Sequence, residues 1–414
     1  MARSYDYLLL GGGTSCGYAA GSIRELDKES SMGIVSADKF PPYDRPPFSK
    51  GFLTNDEMKP EDASAKEDSF YKDNNIDLIL NTKAVALDRE NHRVALETGE
   101  EIIYNKLLYA LGSSPKPIPV EGSERIMLLR TASDSEKIRE ASKSAKVAVI
   151  IGGGYIGAEV AASLRKRGLE VTIVEAGPML WARFPSKNIA AAIQKYLQEI
   201  GCEVITQDTV SRVKDGAVET KSGRLMNADM IIAGIGIEKN LDIAKRAGLP
   251  TDEKGVLADS TLRTSDADIW VAGDVAYFDD VICKGTYSAE HHLHAKWTGE
   301  HAGRCMAGET NDYKMVPYFF SDVGELSMIL RGYPERAAKS YLFGDANASV
   351  LTEVFLFGDG KIDGVIDLRK DYKEQEPLSE LFERLVLQGA YATPLEQELE
   401  KREFDITKFE SLLT

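Results

Sequence analysis

A chain of 414 residues, 43% apolar and 28% charged, has the composition of a globular protein and exceeds one hydrophobic core, so two to three domains are expected. Its net charge of −16 and pI near 5.0 oppose general attraction to nucleic acid or anionic lipid, and no apolar run approaches the ~20 residues of a membrane span. Four scattered cysteines, Cys16, Cys202, Cys283 and Cys305, show neither Cys-x-x-Cys nor Cys-x₄-Cys spacing, which argues against a zinc site or a dithiol close in sequence.

In chain order, a strand at Tyr5–Leu10 runs into Gly11-Gly12-Gly13-Thr14-Ser15-Cys16-Gly17 and a helix at Cys16–Leu26, followed by a strand at Gly33–Ser36. This is a βαβ unit whose glycine turn presents free helix N–H groups to a pyrophosphate. The third slot of the Gly-x-Gly-x-x-Gly pattern holds Cys16, with Gly17 one residue late. Cys16 reads as a small packing residue rather than a reactive thiol.

The stretch 112–119, rich in proline and serine, reads as an interdomain crossover with no regular structure. A second unit follows. The strand Lys146–Ile151 leads into Gly152-Gly153-Gly154-Tyr155-Ile156-Gly157, a helix at Ile156–Arg167 and a strand at Val171–Glu175. Here Gly152, Gly154 and Gly157 fill all three slots. Glu175 ends the second strand, where a carboxylate accepts a ribose 2′-OH and repels a 2′-phosphate, favouring NADH over NADPH. Arg183 nearby leaves an opening for the phosphate.

Met230–Ala233 and Ile269–Ala272 read as buried strands. Beyond about residue 313, strands at Val350–Phe357 and Lys361–Leu368 flank Gly358-Asp359-Gly360, a hairpin signal. Amphipathic helices at Leu378–Leu387 and Leu395–Glu403 complete a third, α+β domain. The expected fold class is α/β, with two Rossmann-like dinucleotide-binding domains plus this C-terminal α+β domain.

Gly11–Thr14, then Pro42-Tyr43-Asp44-Arg45-Pro46-Pro47-Phe48-Ser49-Lys50, then Ile269-Trp270-Val271-Ala272-Gly273-Asp274 together resemble the FAD-dependent pyridine nucleotide-disulfide oxidoreductases. Glu290-His291-His292-Leu293-His294-Ala295 and Phe319-Phe320-Ser321-Asp322 resemble the apoptosis-inducing-factor branch, beside the NADH-dependent reductases of ferredoxin and rubredoxin. The likeness covers about residues 5–325. It implies an FAD-binding domain in two parts, 1–115 and 241–314, an NADH-binding domain at 116–240, and a C-terminal domain at 315–414 that covers the flavin or forms a homodimer interface.

Residue by residue, the resemblance implies that Gly11, Gly12, Gly13 and Thr14 cradle the FAD pyrophosphate, that Gly273 and Asp274 meet the ribityl chain, and that Arg45 and Arg130 contact the same cofactor. The usual ribose acid aligns with Ala37, leaving its neighbour Asp38 as the available carboxylate. Ala84, Tyr155, Ile156 and Gly236 join the cofactor-binding set. Lys50 would lie beside the flavin ring and pair with Glu159, since a buried lysine needs an acid to keep its charge. These two are the expected catalytic residues. Glu290, His291 and Phe320 are placed where flavin and nicotinamide meet, with phenylalanine standing where relatives carry tryptophan. Read without the resemblance, Lys50 is an ordinary loop lysine, the three nearby histidines are a candidate metal cluster, and Pro317–Phe320 is a core strand. No metal is expected.

Between Cys16 and Lys50 there is no cysteine to relay electrons. The flavin is therefore expected to deliver electrons directly, first to a small redox protein of the ferredoxin or rubredoxin type. Lys296, Arg304 and Arg331 are candidate docking charges on an otherwise acidic chain. An NADH oxidase, a quinone reductase and an NADH-responsive redox-sensing interaction protein are the alternatives. The N-terminus shows no signal-peptide pattern, so a cytoplasmic location is expected.

Overall fold

The computed structural model describes residues 3–214, 216–345, 350–401 and 404–413. It divides into two compact units. The first comprises Met1–Pro47, Met58–Ser114 and Ile237–Met315; the second comprises Phe48–Glu57, Pro115–Gly236 and Val316–Thr414.

In the first unit, a seven-stranded sheet is ordered Ile76–Ile79, Met32–Val35, Arg3–Leu10, Glu101–Tyr109, Arg93–Leu96, Ala84–Asp88, with Ile269–Val271 also paired to Glu101–Tyr109. Leu10 stands opposite both Val35 and Tyr109 in parallel register, so three strands end together at the glycine turn. Leu8, Leu9 and Leu10 are all fully buried although they alternate between faces, so both faces of the sheet are covered. Helices Thr14–Leu26 and His292–Met306 meet through small residues. A Cβ added at Gly299 would lie 2.3 Å from the carbonyl oxygen of Ser15, and one at Gly303 2.6 Å from that of Ala19. Glycines four apart share a helix face and let the two backbones touch.

The stretch 112–119 departs from the sequence expectation, because Ser113–Pro115 forms a short strand. Asn240 donates its backbone N–H to the Gly112 carbonyl at 2.9 Å, and Ser114 Oγ reaches Asn240 Oδ1 at 3.0 Å. Prolines at 117 and 119 remove the donors that would extend it.

In the second unit, a parallel sheet is ordered Cys202–Thr206, Glu170–Glu175, Val147–Ile151, Met230–Ala233, Met127–Leu128. An antiparallel sheet is ordered Tyr318–Val323, Leu326–Gly332, Ile362–Arg369, Val350–Leu356, Lys339–Asp345. A single apolar core joins Leu53, Ile138, Val160, Leu164, Val323, Leu330, Phe355 and Ile366, so the segment around Leu53 and the C-terminal sheet pack with the second dinucleotide fold. The hairpin closes as expected, with Gly360 at φ +86° and Phe357 N–H bonded to the Lys361 carbonyl. The helix over 378–387 extends to Gln375–Gln388. The last expected helix divides into a 3₁₀ turn at Thr393–Leu395 and a helix at Glu396–Lys401, while 402 and 403 lie outside the described residues.

Candidate functional site

The first glycine turn is shaped by what its backbone touches. Gly11 holds φ +137°, and a Cβ there would sit 2.3 Å from the Ala110 carbonyl oxygen; a Cβ at Gly12 would sit 1.9 Å from Ser36 Oγ. Gly13 caps the following helix with no side-chain hydrogen bond, and its carbonyl takes the Cys16 N–H, which leaves the Thr14 and Ser15 N–H groups at the helix start to face an anion. Arg45 stands over this turn, its guanidinium 3.6 Å from where a Gly13 Cβ would be, and its buried Nε has no hydrogen-bond partner among the described residues. Thr14 Oγ1 donates to the Tyr43 carbonyl at 3.3 Å, fastening the arginine's segment to the helix. A half-buried cation beside bare helix N–H groups suits a pyrophosphate.

Gly273 and Asp274 complete this hollow, which Gly11–Ser15, Arg45, Ala110–Gly112 and Ala295 also line. Asp274 is nearly buried and accepts from Ser113 Oγ at 2.6 Å; the Gly273 N–H donates to Thr298 Oγ1 at 2.9 Å. Asp38 sits beside Gly12 and accepts from the Tyr43 hydroxyl at 2.6 Å. Ala84 begins the outer strand, two residues after Thr82, whose N–H bonds the Ser36 carbonyl. Cys16 is fully buried, and burial pushes its thiol up, away from the thiolate form. The displaced glycine has its own reason. A Cβ at Gly17 would lie 2.7 Å from the Ala65 methyl.

The second turn keeps the regular pattern. Gly152 is at φ +98°, and a Cβ on Gly157 would lie 2.0 Å from the Gly152 carbonyl oxygen, so helix and strand pack without a side chain between them. Gly154 caps the helix Tyr155–Lys166 with no side-chain bond. Glu175 accepts from the Gly153 N–H at 2.7 Å with Oε2 and from the Gly177 N–H at 2.6 Å with Oε1. Ile156 is exposed on the rim, Gly236 is at φ +108°, and Arg183 is exposed. Tyr155 packs against Trp181 and Phe319, with ring centroids 4.9 and 4.7 Å away. Trp181, at φ +54°, donates its backbone N–H to the Gly153 carbonyl, so strained backbone braces this turn.

Within the same unit, Lys50 Nζ lies 3.5 Å from Glu159 Oε1 and 2.9 Å from Asp322 Oδ2, and 4.6 Å above the Phe320 ring. Glu159 is 6% exposed and accepts from Ser49 Oγ at 2.5 Å and from Ser321 Oγ at 2.6 Å. Burial raises its pKa, while the Lys50 ammonium and the two hydroxyls pull the other way. The backbone before Lys50 is fixed by buried hydroxyls: Ser135 Oγ donates to the Phe48 carbonyl at 2.6 Å and Ser163 Oγ to the Ser49 carbonyl at 2.8 Å. Sequence reasoning missed Ser49, Ser163, Ser321 and Asp322. The one signal for Asp322 was its two-residue spacing from Phe320, which puts both on one face of a strand.

The three histidines do not converge. His292 faces Asp44 at 3.8 Å, His294 stacks on Phe278, and His291 caps the helix. Burial lowers His291 to about 4 and His294 to about 3, so both imidazoles are neutral. Glu290 pairs with Lys239 at 3.5 Å. Arg130 lies in the turn before helix Ala132–Ser142, its N–H on Asp134 Oδ2 at 3.2 Å. Of the candidate docking charges, Lys296 lies over the Tyr18 ring, and Arg304 is paired with Glu25 and Glu309. Arg331 is a correction. It is 5% exposed and paired with Glu383 of the helix covering its strand, so it presents no surface charge.

A family model described as pyridine nucleotide-disulphide oxidoreductase matches residues 5–299. The chain is 30% identical to rhodocoxin reductase of Rhodococcus erythropolis over 370 residues, covering 88% of this chain and 86% of that protein. It is 31% identical to monodehydroascorbate reductase of Solanum lycopersicum, covering 87% and 90%. The crystal structure of the ferredoxin reductase for the CYP199A2 system from Rhodopseudomonas palustris superposes with a TM-score of 0.89 at 25% identity, over 99% of this chain and 100% of that one. The chain belongs to the pyridine nucleotide-disulphide oxidoreductase family and is an oxidoreductase that uses flavin and a pyridine nucleotide.

Proposed function

We propose that this member of the family takes hydride from NADH onto FAD and passes the electrons, without a cysteine relay, to a small redox protein of the ferredoxin or rubredoxin class. Bound flavin supplies the chemistry that joins a two-electron donor to a one-electron acceptor. Gly11–Thr14, Arg45, Gly273 and Asp274 are assigned to FAD, and Gly152–Gly157 with Glu175 to the nicotinamide nucleotide. Lys50 and Glu159 are assigned to the flavin ring, where a fixed positive charge favours arrival of hydride.

One observation carries the choice of acceptor. Cys16 is the sole cysteine before Lys50, and it is sealed with its thiol held protonated. A dithiol or single-thiol route therefore lacks its usual residue between the first glycine turn and Lys50. Rhodocoxin reductase and the ferredoxin reductase carry such acceptors in their names, and the same acceptor class is assigned here. Glu175 supports NADH, because its carboxylate already takes two backbone N–H groups at the turn and stays in place to repel a 2′-phosphate.

A second reading is reduction of a small organic radical, as named for the monodehydroascorbate reductase relative. The net charge of −16 and the sealed Arg331 favour it, since both weaken docking of an acidic carrier. Anaerobic NADH titration followed in the visible, then reoxidation by ferredoxin, rubredoxin, monodehydroascorbate, quinone or oxygen in separate runs, tests both. Faster turnover with the radical than with either carrier overturns the first reading; oxygen or quinone leading by a wide margin overturns both.

A further inference from the structure

Two carboxylates hold Lys50, and the nearer is not the buried one. Asp322 Oδ2 is 2.9 Å from Lys50 Nζ, while Glu159 Oε1 is at 3.5 Å. Glu159 is already engaged by the hydroxyls of Ser49 and Ser321, and its burial opposes ionisation. Asp322 is placed by its own strand. It stands directly opposite Ser327 in the antiparallel ladder and accepts from Ser327 Oγ at 2.9 Å through Oδ1, leaving Oδ2 for the lysine. Phe320, two residues earlier on the same face, puts its ring under the same ammonium.

Exposure is graded across the triad. The Glu159 side chain is 6% exposed, Lys50 17% and Asp322 41%. We infer that Asp322 is a positioning residue for Lys50: it draws the ammonium toward the open end of the site, while Glu159 marks the closed end. Ser327 and Phe320 fix the geometry of that outer hold. The inference rests on the role proposed above for Lys50 in hydride transfer.

With Asp322 as the nearer counter-charge, its loss removes the outer hold on the ammonium and leaves Lys50 Nζ more open to reagent. Competitive acetylation of the FAD-loaded protein with acetic anhydride at one fixed pH, read by mass spectrometry, reports how open Lys50 is. In Asp322→Asn, Lys50 is expected to react several-fold faster, with Asp322→Glu restoring most of the wild-type labelling. Flavin reduction by NADH in stopped flow is expected to slow several-fold in Asp322→Asn, with KM for NADH little changed and the rate recovered in Asp322→Glu. An unchanged labelling profile in Asp322→Asn overturns the inference. Lys50→Met separates the two layers: if it leaves NADH reduction at the wild-type rate, the assignment of Lys50 fails whatever the labelling shows. If it slows reduction while Asp322→Asn does not, Lys50 stands and the positioning role falls.

Discussion

Ser163 Oγ donates at 2.8 Å to the carbonyl of Ser49, 114 residues earlier in the chain, and both groups are buried. Ser49 precedes Lys50, so a hydroxyl on the second glycine helix sets the backbone that carries the lysine. Replacing Ser163 by alanine strands that carbonyl, a loss of about 1–3 kcal/mol. The variant is expected to melt at lower temperature and to be reduced by NADH several-fold more slowly, with KM for NADH little changed. Thermal melts and stopped flow measure both. A lowered melting temperature with a wild-type reduction rate would show the hydroxyl to be structural alone.

Glu159 is where substitution separates charge from shape. Alanine leaves the Ser49 and Ser321 hydroxyls without their acceptor, at about 1–3 kcal/mol for a buried polar group left unpaired, and strips the inner counter-charge from Lys50, which keeps Asp322. Glutamine keeps one acceptor oxygen. Chemical denaturation is expected to rank the proteins wild type, Glu159→Gln, Glu159→Ala in falling stability. Equal loss in both variants would mean the charge, not the hydrogen bonds, holds the site.

The two glycine turns were legible because their chemistry is local: a strand, three small residues and a helix occur in one short stretch. The surroundings of Lys50 were not. Ser49, Ser163 and Ser321 come from three separated segments, and serine hydroxyls carry no sequence pattern that marks a buried donor. Arg331 misled for a related reason, since its partner Glu383 lies on a helix 52 positions later whose covering face only the packing reveals. The strand at Ser113–Pro115 was hidden by prolines, which forbid donation but not acceptance.

Glu175 binds two backbone N–H groups, so its loss acts on the loop as well as on the ribose. Glu175→Ala is expected to lower kcat/KM for NADH by about 10- to 100-fold, the loss of roughly 1.4–3 kcal/mol of hydrogen bonding. The ratio of NADPH to NADH use should rise at the same time, since the repelling charge is gone. Steady-state kinetics with each nucleotide settles it. A fall in both nucleotides by the same factor would assign Glu175 to loop structure only.

Asp363 is fully buried, neither carboxyl oxygen has a hydrogen-bond partner among the described residues, and desolvation pushes its pKa up from 3.8 to about 7, Arg336 opposing the rise and Glu335 adding to it. The folded chain therefore keeps this proton over a range in which the unfolded chain has lost it. The stability this group contributes is complete below about pH 4 and is lost progressively as pH rises to about 7, because there the folded form binds the extra proton. Each unit of that range corresponds to at most ~1.4 kcal/mol, or a few degrees in Tm on the scale of about 2–4 °C per kcal/mol. Asp363→Asn removes the titration while keeping the shape. Melts of the two proteins at pH 5 and pH 8 are expected to diverge, with the variant losing less stability between them. Parallel losses would mean that Asp363 is ionised in the fold and that a counter-charge reaches it.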